Sequence, residues 1–206
     1  MDHQTICIDP EELDPREAYR IMISIVVPRP IAWVSTIGAD GSVNLAPFSF
    51  FNGVAGRPPT VMISIGRRAG NRKDTLRNAQ ETGEFVVHLV NRAMAEAMIY
   101  TSGDWDYEAN EFELAGLATA PSVVVRPPRI ANAPIAMEAK VTQIVPVEGT
   151  TSTMILGRIV RYHLQDGLLR SNGLVDAVRL DPIARLGGDE HATLGQVFEM
   201  FRPKVK

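Results

Sequence analysis

The alternation within residues 28–52, PRPIAWVSTIGADGSVNLAPFSFFN, confines the fold more than any other stretch of the chain. Ile31, Trp33, Ser35 and Ile37 interleave with Ala32, Val34 and Thr36, and an Asp40-Gly41 pair follows. Period-two alternation ahead of Asp-Gly describes two antiparallel strands joined by a tight hairpin. The second strand is expected to end at Ala46-Pro47, because proline has no N–H to give to a ladder and is driven to edges and strand ends. Phe48, Phe50 and Phe51 then crowd together with Ser49 and Asn52. Such a corner offers aromatic surface and hydrogen-bonding groups to a flat heteroaromatic ligand. The same three phenylalanines equally describe plain core.

The chain beyond this hairpin favours strands over helices. Residues 61–65, bounded by Pro58-Pro59 and Gly66, read as a short strand, as do Phe85, Val87 and Leu89 alternating with Val86 and His88. Met137, Ala139, Val141 and Val145 alternate with Glu138, Lys140 and Thr142, which describes a half-solvated strand whose antiparallel partner is Thr153–Leu164. Residues 123–125 are apolar but run into Arg126-Pro127-Pro128, a brief strand or an extended linker. Three short helices are predicted. One starts near Asp14-Pro15, one spans 71–82 with Asn71 as its cap and Gly83 past its end, and one spans 91–100 behind Asn91. Residues 101–117 form a surface loop pinned by Trp105, Tyr107 and Phe112 and placed to cover a site. Residues 166–206 read as a wrapping tail.

This order describes a mainly β protein with short helices, a Greek-key antiparallel barrel formed by residues 1–206 as one domain. A doubly wound sheet would need regular alternation of strands with longer helices, and no GxGxxG follows a strand. A net charge of −3 leaves no broad surface for nucleic acid or an anionic membrane, so any basic site is local. Cys7 is the sole cysteine, which rules out an intramolecular disulfide and a cysteine-built metal site, and no metal ligands are assigned. No stretch reaches the ~18 apolar residues that span a bilayer, and the start of the chain lacks a secretory pattern. The expectation is a soluble, cytoplasmic protein.

One local basic site is visible. Arg67, Arg68, Arg72 and Lys73 gather at the start of the 71–82 helix, where unpaired N–H groups and the positive end of the helix dipole make cations counterproductive unless an anion sits among them. A phosphate is the natural anion, with Thr75 supplying a hydroxyl; a solvated basic loop is the plainer alternative. GRRAGNRKDT is not a nucleotide-triphosphate loop, because no glycine precedes Lys73 and Asp74 follows it. Ser35, Thr36, Ser49 and Asn52 offer donors for the polar edge of a ring system.

The motifs PRPIAWVST, NLAPFSFFN, GRPPTVMISIG (56–66), RKDTLRNAQETGEFVVHLV (72–90) and PIARLGG (182–188) occur in one order and cover most of the chain. Together they resemble the flavin reductase-like, FMN-binding split-barrel family. The resemblance implies a split β-barrel holding FMN among Ser35, Thr36, Ala46, Pro47, Phe48, Ser49, Phe50, Phe51, Asn52, Ser64, Ile65, Gly66, Arg72, Lys73 and Thr75, with Arg29 a further candidate for the phosphate. It implies a homodimer with the flavin pocket between subunits. The activity implied is electron transfer from NADH or NADPH through FMN to a free flavin, a metal complex or a partner protein. An FMN-dependent oxidase of a small substrate, an electron carrier and a ligand-free interaction barrel are the alternatives. His163, closing a long strand, is the candidate for the flavin's open face, although a structural histidine is the commoner outcome there. His191 stands where relatives more often carry an aromatic residue.

Overall fold

The computed structural model describes residues 4–67 and 72–205. Helix α1 (Pro15–Ile25) begins with Pro15 at its first position, and the Asp14 carboxylate accepts from the N–H groups of Arg16 (2.7 Å) and Glu17 (3.0 Å). Those are groups that a helix start leaves without partners. Strands β1 (Arg29–Pro30), β2 (Ala32–Ile37) and β3 (Val43–Phe48) follow. β2 and β3 form the expected hairpin, pairing from Ala32 with Phe48 to Ile37 with Val43, with Gly41 at φ 90° in the turn.

β3 does not stop at Ala46-Pro47, since Pro47 pairs with Trp33 inside the strand. The reason lies in its position. β3 is an edge strand, and the Leu45 N–H two residues earlier points away from β2 to a side chain. The N–H that Pro47 lacks would point to the same open side, so no ladder bond is lost.

The chain continues through β4 (Phe51–Gly56), β5 (Pro59–Ile65), α2 (Asp74–Thr82), β6 (Glu84–Leu89), α3 (Ala95–Tyr100), α4 (Glu111–Leu114), β7 (Thr119–Ala120), β8 (Arg129–Ile130), β9 (Ile135–Pro146), β10 (Thr153–Leu164), α5 (Ala177–Leu180), β11 (Ala184–Arg185) and β12 (His191–Ala192). Seven strands form one antiparallel sheet in the order β3-β2-β6-β9-β10-β5-β4. Phe48 at one edge packs in the same core as Val61 and Ile63 of β5 near the other edge, so the sheet curls round on itself. β3 is not hydrogen-bonded to β4 or β5, which leaves the split. This is a split β-barrel. The expected cap Asn71 lies outside the described residues; α2 starts at Asp74 and ends at Gly83, whose φ of 70° is one that a side chain would strain. β4 escapes the period-two pattern because Gly53 and Gly56 interrupt it.

The core inside the curl comprises Ala32, Val34, Phe48, Ile63, Phe85, Val87 and Ile155, with Leu76 and Ala79 of α2 closing it. A glycine in the middle of long β10 has its reason there, since a Cβ on Gly157 would run into the Phe85 ring. A second core outside β2 gathers Trp33, Leu45, Met98, Phe112 and Ile130. The segment between β7 and β8 forms a strap with no ladder of its own. Its N–H groups at Val123 (2.8 Å), Val124 (2.6 Å) and Val125 (3.0 Å) donate to the Glu138 carboxylate on β9. The tail wraps only through β12, with β11 paired to β1; beyond it Met200 and Phe201 are 84% and 87% exposed.

Candidate functional site

A cavity of about 410 Å³ lies where the end of β3, the N-terminus of α2 and the loop 101–107 meet. Arg72, Lys73, Asp74 and Thr75 line one side, Asn44, Ala46 and Pro47 the floor, and Tyr107 and Glu111 the opposite wall. Lys73 is the N-cap of α2 and gives no side-chain cap bond, so the first turn of the helix receives none of the capping that α1 receives. A helix start of this kind is an anion site in waiting. The Lys73 ammonium stands 5.6 Å from the Phe48 ring centroid, and Arg72 Nη1 donates to Gln80 (3.2 Å).

A buried polar network orients the floor. Asn44 Nδ2 donates to Thr75 Oγ1 (2.8 Å) and to Thr36 Oγ1 (3.4 Å), which also accepts from Asn78 Nδ2 (3.2 Å). All four residues are buried. With Thr75 Oγ1 accepting from Asn44, its proton is free to turn toward a ligand. The covering loop is pinned by its aromatics: Tyr107 donates to Asp40 (3.1 Å) under the Arg77 guanidinium, and Trp105 donates to the Tyr100 carbonyl (3.1 Å).

Sequence reading missed two residues here, Asn44 and Glu111. Asn44 sits in the quoted NLAPFSFFN motif, and its signal is a polar residue on an otherwise apolar strand. Glu111 gives no local signal, because its burial follows from Phe112, which is 1% exposed in the Trp33 core and draws the one-turn α4 against β3. Burial pushes the Glu111 carboxyl up to about 7, with the Leu45 N–H bond opposing and the Asp74 charge adding to the rise.

Thr36, Ala46, Pro47, Phe48, Arg72, Lys73 and Thr75 are thus brought together at or beneath the cavity. Others of the predicted set are placed elsewhere. Ser35 donates to the Pro128 carbonyl (2.6 Å) and faces the strap. Ile65 is fully buried core, and Phe51 packs against that core. Ser49, Phe50, Ser64 and Gly66 are half-buried at the neighbouring strand ends, with the Ser64 N–H on the Phe50 carbonyl (2.8 Å), and exposed Asn52 accepts from the Gly53 N–H (2.8 Å). None of these lines the cavity.

Arg29, expected near the phosphate, is instead a structural clamp. Its guanidinium donates to the carbonyls of Ile23, Val26 (2.6 Å) and Leu186 (2.6 Å), tying the end of α1 to the tail. Arg67 is exposed, and Arg68 lies outside the described residues. His163, expected on an open face, contacts Glu138 (2.6 Å) on the strap side of the sheet and does not line the cavity. His88 is held neutral, since full burial pushes its pKa down to about 4. Its Nδ1 donates to the Trp33 carbonyl (2.9 Å) and its Nε2 accepts from the Ile130 N–H (3.0 Å). His191 contacts Arg185 (3.5 Å) beside a separate cavity of about 270 Å³.

The sequence model of the flavin reductase like domain matches residues 24–179. An uncharacterised protein of Halalkalibacterium halodurans is 41% identical over 203 residues, which is 96% of this chain and 97% of the relative. Component B of nitrilotriacetate monooxygenase from Bacillus cereus has a similar structure, with TM-score 0.93 and 36% identity over 97% of this chain and all of that one. The 2-nitrobenzoate 2-nitroreductase of Pseudomonas fluorescens superposes with TM-score 0.85 at 31% identity over 96% of each chain.

Proposed function

The chain belongs to the flavin reductase-like family, and from that premise we propose that it is an FMN-binding oxidoreductase reduced by NADH or NADPH. The observation that carries the reading is the conjunction of Arg72, Lys73, the uncapped start of α2 and Thr75 at one end of a cavity floored by β3. Its volume lies in the range of small-molecule sites, and its donor set suits a phosphate dianion. The lining offers one compact basic cluster, which favours FMN over FAD.

Lys73 and Arg72 neutralise the phosphate, and Thr75, held by Asn44, donates to it. Bound FMN supplies the hydride and electron chemistry itself, so no catalytic triad is required. The loop 101–107 walls one side of the site. Ser49, Phe50, Asn52, Ser64 and Gly66, at the open strand ends, are our proposed neighbours of the ring in the assembled protein.

That assembly is a homodimer of one-domain chains. The exposed tail and the outer strand β4, with Val54 53% exposed, are surfaces that a second copy would cover. No helix among the described residues is long and apolar enough to cross a membrane. The likeness to a monooxygenase component supports electrons leaving for a free flavin or a partner protein. The likeness to a nitroreductase favours a second reading, in which a small substrate takes them directly.

Anaerobic mixing of the FMN-loaded protein with NADH or NADPH tests the proposal: the flavin band should bleach and air should restore it. Heat-released cofactor should chromatograph as FMN. A protein that takes up no FMN overturns the cofactor reading. One that is reduced by dithionite but by neither nucleotide is a carrier or substrate oxidase instead.

A further inference from the structure

Glu111 is held in a way that ordinary structural carboxylates are not. It is 6% exposed, and its Oε2 accepts from the Leu45 N–H (3.0 Å), the outward-pointing donor of edge strand β3. No ion pair among the described residues includes it, although Lys73 and Arg72 line the same cavity. One oxygen is fixed by the backbone. Glu111 is also among the residues that line the cavity.

The groups around it are mixed in charge. Arg72, Lys73 and Asp74 face the cavity from the start of α2, and Asp104, Asp106 and Tyr107 from the covering loop. β3 contributes no charged side chain, and on α4 itself Glu113 is exposed and bonded to Asn110 (2.8 Å). An isolated carboxyl in this setting is already poised near neutrality by burial and by Asp74. An anion arriving beside Lys73 and Thr75 adds a like charge in a partly dry space, and the carboxylate form becomes harder to keep.

We propose that Glu111 is the proton-holding residue of the cavity: it takes up one proton from solvent when a phosphate-bearing ligand binds, and then donates a hydrogen bond from its free oxygen into the site. The step is a proton transfer alone, carboxylate to carboxylic acid, with no change of oxidation state. It rests on the FMN reading for its occupant and makes ligand affinity depend on pH through a side chain distinct from the phosphate's own partners.

Calorimetric titration of FMN into the flavin-free full chain at pH 7.5, in buffers of different ionisation enthalpy, reads the proton count directly. Wild type should take up about half a proton more than Glu111→Gln. Equal proton counts with FMN bound by both would overturn the proposal and leave the flavin reading standing. If FMN binds to neither, the flavin reading fails and the amide resonance of Leu45 in the wild-type chain decides. A titration of that resonance near neutrality, moved to higher pH by inorganic phosphate, sustains the proposal. A Leu45 resonance that does not titrate, or one that phosphate leaves unmoved, overturns it.

Discussion

Glu138 and Glu111 are both buried carboxylates, one under the strap and one at the cavity, and the protein treats them in opposite ways. Glu138 accepts from three successive backbone N–H groups and contacts His163. Burial alone would raise its pKa, but these four partners together hold it below the ordinary carboxylate range. Glu111 has one backbone N–H and no counter-ion among the described residues, and burial pushes it up instead. A buried charge supplied with donors is a fastening, whereas one left short of them is a group still able to take a proton. The contrast separates the part of the molecule built to stay shut from the part built to receive something.

Removing the fastening should give the largest effect. Glu138→Ala leaves the N–H groups of Val123, Val124 and Val125 without acceptors, and a loss of about 4–6 kcal/mol is expected in urea unfolding. A loss under about 1 kcal/mol would mean that the strap is not held by this carboxylate. At the cavity, the double change Arg72→Ala and Lys73→Ala should leave unfolding nearly untouched while weakening FMN binding by about 3 kcal/mol, a hundredfold or more. Unchanged FMN affinity would move the phosphate to another part of the molecule.

The two regions should also respond to pH with opposite signs. His88 holds β8, where the strap ends, through Ile130 and has its pKa lowered from 6.5 to about 4. The unfolded chain therefore binds a proton that the folded one refuses, so stability is complete above pH 6.5 and falls by about 3 kcal/mol as pH drops toward 4. Protonation of Glu138 adds to the same acid limb. Glu111, raised from 4.5 to about 7, acts the other way: its contribution is complete below pH 4.5 and is lost as pH rises toward 7. Glu111→Gln should abolish that neutral limb, gaining about 2–3 kcal/mol on wild type between pH 5 and pH 8.5 in denaturant midpoints. Parallel pH profiles for the two proteins would show that Glu111 holds no shifted proton.

How much of this was legible in the sequence follows the same division. The β2–β3 hairpin, the β9–β10 pair and α2 behind its basic residues are encoded by neighbours, through alternation, turn chemistry and charge, although β3 runs on through Pro47 to Phe48 and α2 starts at Asp74. The strap is not local, since Val123, Val124 and Val125 find their acceptor on Glu138, thirteen to fifteen residues on, and no period announces a segment whose N–H groups all go to one side chain. Arg29 looked like an anion ligand because its charge is visible in sequence while the three carbonyls it serves are not. Glu111 is the hardest case, because its burial depends on Phe112 reaching a core built by Trp33 and Leu45 from another part of the chain.

His163 sharpens the comparison last and with the smallest effect. The end of a long strand suggested a residue facing bound ligand, yet its Nε2 lies 2.6 Å from Glu138 and its side chain is 21% exposed. Glu138 keeps its three backbone donors when this fourth partner is removed, so His163→Ala should cost about 1–2 kcal/mol of stability rather than the larger loss of the carboxylate itself. Losing that hydrogen bond also raises the Glu138 pKa, because the His163 contact is one of the interactions that lower it. The acid limb should therefore begin at a higher pH in the variant than in wild type. FMN affinity and the rate of flavin bleaching by NADH or NADPH should stay within about twofold, since His163 does not line the cavity. A variant of normal stability whose flavin reduction is slowed tenfold or more would return His163 to the flavin site and make the strap, rather than the cavity, the face that the nicotinamide approaches.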